Sequence, residues 1–240
     1  MSDPHLYVDL PLQPGTELEL PTEVINHLRV LRLGPGQRLR LFNGQGGEYL
    51  ATLLALERRS ARVAVERHLP HEAESPLAIT LIQGVSKGER MDFTIQKAVE
   101  LGVTGIQPVF TERSVVQLDG DRLEKRSRHW RGVAIAACEQ CGRNRIPELL
   151  PPLPLAAAWD CVQAELRLVL NPLEGRRLRE LPAAASLALL VGPEGGLSEA
   201  EVAAAIAHGF VSLQLGPRIL RTETAGLAAL AALQALHGDL

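Results

Sequence analysis

Two stretches decide how this chain folds: Val191-Gly-Pro-Glu-Gly-Gly-Leu-Ser198 and Leu215-Gly-Pro-Arg-Ile-Leu-Arg-Thr-Glu-Thr-Ala225. The first continues Leu187-Ala-Leu-Leu-Val191, a short apolar run of buried-strand type. Gly192, Gly195 and Gly196 let the main chain come close to a ligand. Ser198 is a good helix N-cap, and the spacing predicts a helix over Glu199 to His208. The second stretch repeats the design, with a strand over Val211 to Leu215, a Gly-Pro turn and a helix from Thr222. Open α/β sheets bind ligands where glycine turns leave neighbouring strand ends. A phosphate cradle is not indicated, because no Gly-Lys-Ser/Thr follows and the GxGxxG spacing is absent. Glu194 in the loop would repel a phosphate, so a neutral or cationic ligand fits better.

Outward from these turns, the pattern from Leu77 onward alternates strand and helix. Strands are predicted at Leu77 to Gln83, Gly105 to Phe110 and Leu166 to Leu170, and helices at Glu89 to Leu101 and Asp121 to Cys141. Such alternation predicts a parallel sheet with helices on both faces. The last helix, Thr222 to Leu236, is rich in Ala and Leu all round, so it must be buried, and a subunit interface is a natural place. Upstream, His5 to Asp9, Gln37 to Asn43, Glu48 to Leu56 and Ala61 to His68 read as strands. One helix interrupts them from Pro21-Thr22-Glu23, with Val24, Ile25, Leu28 and Leu31 on one face, until Gly34-Pro35-Gly36 stops it. A small β-barrel with one helix fits this part. His71-Glu-Ala-Glu-Ser-Pro76 is polar and apolar-poor, so the domains are expected to be 1–72 and 73–240.

The 240 residues carry a net charge of −3 and an ordinary apolar share, with no run approaching the ~20 residues of a membrane span. Met1-Ser-Asp-Pro-His-Leu-Tyr-Val-Asp-Leu10 has neither a basic n-region nor an apolar core, so no secretory leader is expected. Three cysteines argue against a disulfide framework and for a reducing, cytoplasmic setting. Cys138 and Cys141 lack a second pair and neighbouring histidines, and read as packing at i, i+3 on a helix, so no metal is expected. Charge is uneven: Arg122, Lys125, Arg126, Arg128, Arg131, Arg143 and Arg145 face only Glu124 and Glu139, as a phosphate backbone would select.

The two glycine motifs stand in order with His27-Leu-Arg-Val-Leu-Arg32, Gly88-Glu-Arg-Met-Asp-Phe-Thr-Ile-Gln-Lys-Ala-Val-Glu-Leu-Gly102 and Ala136-Ala-Cys-Glu-Gln-Cys-Gly-Arg-Asn-Arg145. Together they resemble the SPOUT methyltransferases, in particular the RsmE-type enzymes that methylate N3 of a uridine near the 3′ end of 16S ribosomal RNA in the small subunit. The resemblance runs over nearly the whole chain. It implies a PUA-like RNA-binding β-barrel followed by an α/β SPOUT domain with a parallel sheet and a trefoil knot. It also implies a homodimer and S-adenosylmethionine as cofactor, with S-adenosylhomocysteine as product.

By the same resemblance the cofactor would be held by Leu170 and Asn171, by Gly192, Pro193, Glu194, Gly195, Gly196 and Leu197, and by Leu215, Gly216, Leu220 and Thr224. Uracil N3 must lose a proton before it attacks. Glu223 is the candidate base, and Arg221 the cation that stabilises charge spreading onto the ring oxygens. Lys87, Arg90, Arg113, Arg143 and Arg145, with Arg29 and Arg32 in the first domain, are expected to contact RNA. Where many members carry an arginine just before the first strand's aromatic, this sequence has His5. A non-catalytic RNA-binding assembly factor and a ribose 2′-O-methyltransferase on the same scaffold are the competing readings.

Overall fold

The computed structural model describes residues 3–116 and 119–240, so the first two residues of the stretch read as leaderless lie outside it. The chain separates into two compact units, Met1–Glu74 with Cys138–Ile146, and Ser75–Ala137 with Pro147–Leu240.

The first unit holds β1 (His5–Tyr7), β2 (Glu17–Glu19), α1 (Thr22–Val30), β3 (Arg38–Phe42), β4 (Glu48–Leu56) and β5 (Ala61–Leu69) in one sheet of order β1-β3-β4-β5-β2. Period-two alternation makes the core: Ala61, Val63 and Val65 of β5 point inward while Arg62 and Glu66 are exposed. Leu39, Leu41, Leu53 and the α1 residues Val24, Ile25 and Leu28 complete that core. Leu31, expected on the same apolar face, is 43% exposed, because α1 ends at Val30 and the chain reverses there. The reversal is a Schellman turn: Leu33 N–H donates to Leu28 O, Arg32 N–H donates to Arg29 O, and Arg32 adopts φ 57°. Residues 138–146 pack into this unit. Glu139 accepts from the Tyr7 N–H at 2.9 Å, and Asn144 Nδ2 donates to His71 O at 2.7 Å.

The second unit contains β6 (Ala78–Gly84), α2 (Glu89–Glu100), β7 (Gly105–Phe110), α3 (Gly120–Cys141, whose last turn belongs to the first unit), β8 (Glu148–Leu149), β9 (Leu153–Pro154), α4 (Leu155–Ala158), β10 (Leu166–Leu170), β11 (Ser186–Val191), α5 (Glu199–Ala207), β12 (Val211–Leu213) and α6 (Thr222–His237). Its strands run in the order β12-β10-β11-β6-β7-β8, all pairs parallel, with β9 also on β7. The α/β class expected from the alternation is the one adopted. In β11 every residue from Leu187 to Val191 is buried, which requires cover on both faces. On one face Ala188 and Leu190 join Trp159, Phe210 and Ala205. On α6, Ala229, Leu230 and Leu233 are buried while Ala228, Ala235 and Leu236 are exposed. Among the described residues no helix is long and apolar enough to cross a membrane.

Candidate functional site

Because β12, β10 and β11 are parallel neighbours, their C-terminal ends open on one edge of the sheet, and the three following loops meet there. They enclose a cleft of about 680 Å³. Its wall contains Leu170 at the end of β10 and Asn171 after it, Gly192 to Leu197 after β11, and Leu215, Gly216 and Leu220 to Thr222 after β12. The two glycine motifs and the end of β10 are therefore brought together. Of the residues expected around cofactor and reaction, Arg221 lines the cleft; Glu223, half-buried, and Thr224, exposed, follow it in the first turn of α6 without lining the cleft.

Close approach of main chain to main chain explains the glycines. A Cβ on Gly192 would stand 2.8 Å from the carbonyl carbon of Gly196 and the nitrogen of Leu197, so the loop could not close on itself. A Cβ on Gly84, at the end of β6, would lie 2.5 Å from Pro193. Beyond the loop, Ser198 caps α5 in a reciprocal box: its hydroxyl accepts from the Glu201 N–H at 3.2 Å, and the Glu201 carboxylate accepts from the Ser198 N–H at 2.9 Å.

Behind the cleft lies an amide that the sequence reading did not single out. Gln83 is fully buried, and its Nε2 donates to Gly84 O at 3.0 Å, to Gly192 O at 3.4 Å and to Thr222 Oγ1 at 3.1 Å. The Thr222 hydroxyl in turn donates to Gly192 O. One side chain thus joins the ends of β6 and β11 to the start of α6. A glutamine at the end of a largely apolar strand was the signal that could have drawn attention to it.

Glu194 is held from outside the loop. Its Oε1 accepts from the Lys87 N–H at 2.9 Å and from Arg90 Nη1 at 3.0 Å. Partial burial pushes its carboxyl upward, but the hydrogen bonds from Lys87, from its own N–H and from Arg90 outweigh this and hold it below the usual carboxylate range. Arg113 braces the same loop, donating from Nη1 to Gly195 O at 3.1 Å and Leu197 O at 3.3 Å. Arg90 and Arg113, expected at RNA, are thus engaged with the glycine loop, while the Lys87 side chain is exposed.

In the first unit Arg143 is 3% exposed and its guanidinium is bound to the carboxylate of Glu74, with Nε–Oε1 at 3.1 Å. Arg145 pairs with Glu72 at 3.5 Å, and Arg29 donates to Glu57 O at 2.5 Å. Arg32 is exposed at the left-handed turn after α1. His5 is buried and stacked on Phe42 at 4.3 Å, with Nε2 2.9 Å from Asn144 Oδ1. Burial lowers its pKa despite that hydrogen bond, so it is a neutral core group and not a surface cation. Burial also pushes the Cys138 thiol up to about 12, which suits a packing role. Among the described residues no group of His, Cys, Asp and Glu could hold a metal ion.

Known proteins match this arrangement over its whole length. Residues 73–234 match an RNA methyltransferase domain, and residues 20–66 match an RNA methyltransferase PUA domain. The ribosomal RNA small subunit methyltransferase E of Buchnera aphidicola is 37% identical, covering 99% of this chain and 98% of its own. This chain belongs to that methyltransferase family. A ribosomal RNA small subunit methyltransferase E from Neisseria gonorrhoeae, solved bound to S-adenosyl methionine, superposes with a TM-score of 0.94 at 42% identity over 100% of both chains. A Legionella pneumophila methyltransferase solved with bound cofactor SAM gives 0.97 at 42% identity, again over 100% of both. The RsmE-type resemblance of the sequence is borne out, as is the α/β class with a PUA-like first part.

Proposed function

We propose that this protein transfers the methyl group of S-adenosylmethionine to N3 of a uridine near the 3′ end of 16S ribosomal RNA. The single observation that carries the reading is the cleft where three parallel strand ends converge, in a chain whose 42%-identical relative was solved with that cofactor. A cleft walled by Gly, Pro and Leu suits a cofactor held by main-chain groups and apolar contact. Glycine at 192 and 84 is what permits it. The trefoil knot that the family resemblance implies is part of this proposal.

In the reaction the sulfur–methyl bond breaks as the N3–methyl bond forms, and S-adenosylhomocysteine leaves. The N3 proton has to go to a base. Arg221, at the cleft, stabilises negative charge spreading onto the uracil oxygens, and Glu223 in the first turn of α6 is the group proposed to take the proton. No step needs a metal. The exposed apolar face of α6, with Leu236 51% exposed, supports a homodimer, and a cytoplasmic location goes with the proposed small-subunit RNA substrate.

The test is methyl transfer from labelled cofactor to small ribosomal subunits lacking the modification, followed by reverse transcription. A methyl on N3 blocks base pairing, so label together with one strong stop at a uridine is the expected result. Label without a stop moves the target to a ribose hydroxyl. Cofactor binding with no label on subunits or naked RNA leaves a non-catalytic assembly role.

A further inference from the structure

Two of the most exposed large apolar side chains of the protein sit on the lips of this one cleft: Leu173 is 79% exposed and Ile219 81%. The loop that carries Leu173 is stiff. Asn171 N–H donates to Leu213 O at 3.0 Å, and Asn171 Oδ1 accepts from the Leu173 N–H at 3.0 Å. Gln214 Nε2 donates to Pro172 O at 3.1 Å, and Ser212 Oγ to Glu174 O at 2.7 Å. Arg176 pairs through its backbone alongside β12. A leucine held in water at the tip of so braced a loop gains nothing for folding, whereas an apolar ligand would cover it.

The surrounding charge says which ligand. Arg176, Arg177, Arg179 and Arg218 lie on the same two loops, and all are exposed. Among the described residues none of them makes an ion pair. Glu174 and Glu180 are the acids beside them, and Glu180 already accepts from the Arg177 N–H at 3.0 Å. By contrast Arg90, Arg113, Arg143 and Arg145 are bound to acceptors of the protein itself. Exposed apolar side chains flanked by uncommitted guanidinium groups are what an unstacked base and its neighbouring phosphates need.

We propose that loops 171–181 and 215–221 receive an unpaired RNA strand. The base to be methylated enters between the lips that carry Leu173 and Ile219, and Arg176, Arg177, Arg179 and Arg218 take the phosphates on either side. This surface rests on the methyltransferase reading and adds to it where the strand lies.

The test uses the full-length protein and a short uridine-containing RNA oligonucleotide, with binding measured across a salt series. Arg176→Ser, Arg177→Ser and Arg179→Ser are combined, since none of these residues lines the cleft. The triple variant should bind RNA roughly ten- to a hundredfold more weakly, and its log K against log salt slope should shrink by about 2, at ~0.7 per phosphate of a single strand. Affinity for S-adenosylmethionine should not change, and the matching Arg→Lys triple should restore most of the RNA binding. Leu173→Ser with Ile219→Ser should raise the KM for RNA more than the Kd for cofactor. A Ser triple with wild-type RNA affinity and salt slope overturns the phosphate contacts. Equal losses of RNA and cofactor in the Leu173/Ile219 pair overturn the base entry. Failure of the wild-type protein to methylate ribosomal RNA would instead sink the reaction, while the salt slopes would still report on the surface.

Discussion

Replacing Glu194 measures how far the cofactor cleft depends on a brace outside it. The carboxylate accepts from the Lys87 N–H at 2.9 Å and from Arg90 at 3.0 Å, with side chains 25% and 48% exposed for Glu194 and Arg90. An exposed ion pair contributes about 0.2–1 kcal/mol, and a backbone hydrogen bond to a charged group somewhat more. Glu194→Ala therefore removes about 2 kcal/mol of restraint on loop 192–197, and Glu194→Gln, which keeps an acceptor, about 1 kcal/mol. If cofactor binding has to restore the loop, these losses weaken its Kd by up to about 30-fold and 5-fold. Isothermal titration with S-adenosylmethionine reads both. The folded-state carboxyl lies below its ordinary range, so its contribution is complete above the unfolded pKa and disappears as pH falls through the lowered value. Wild-type affinity should thus be flat around neutrality and decline only in acid, and Glu194→Gln should lack that decline. A Glu194→Ala protein with wild-type affinity would refute the coupling of brace to cleft.

Four further outcomes are expected. Glu223→Gln should keep cofactor affinity while methyl transfer falls roughly 10²-fold or more, as loss of a general base predicts, measured in single-turnover assays. Gly192→Ala should abolish cofactor binding seen by titration, because its Cβ meets Gly196 and Leu197 main chain at 2.8 Å. Gln83→Leu should cost about 2 kcal/mol by leaving buried acceptors short of a donor, lowering Tm by roughly 4–8 °C in calorimetry. Arg32→Gly should stabilise the first unit by about 1 kcal/mol in denaturant titrations, since φ 57° suits glycine, and should weaken RNA binding if Arg32 touches it.

Much of the fold was legible because periodicity and turn chemistry agree. The apolar run 187–191, the Gly-Pro-Glu-Gly-Gly loop and Ser198 predict a strand, a loop and a capped helix, and all three form. The short strands β2, β8 and β9 were not legible, since they exist only through pairing with β5 and β7. Nor was the packing of residues 138–146 with the first unit, because a continuous helix pattern does not say where its end docks. The cleft was legible as two motifs. Gln83 stood out only as a polar residue at the end of a strand; its role was not legible, because the groups it holds come largely from distant segments.

Arginine density alone does not say what a guanidinium binds, and the reason is physical. A guanidinium presents five donors in a fixed fork, so it serves a carboxylate or a carbonyl as readily as a phosphate. Counting charges along 122–145 cannot separate Arg143, enclosed against Glu74, from Arg128, exposed on α3. The separating quantity is whether an internal acceptor already holds the fork. Arg90 and Arg113 are so held by the loop that walls the cleft, which makes them struts of the cleft proposed for the cofactor. Among the described residues Arg176, Arg177, Arg179 and Arg218 make no ion pair; Arg218 lines the cleft, and the other three are exposed on the loop that carries Leu173. In a chain of net charge −3, long-range attraction to RNA is weak, so recognition must come from charges placed within a Debye length of about 8–10 Å of the reacting base. Removing struts and removing free forks should therefore differ in kind: the first weakens cofactor binding with little change in salt slope, and the second does the reverse.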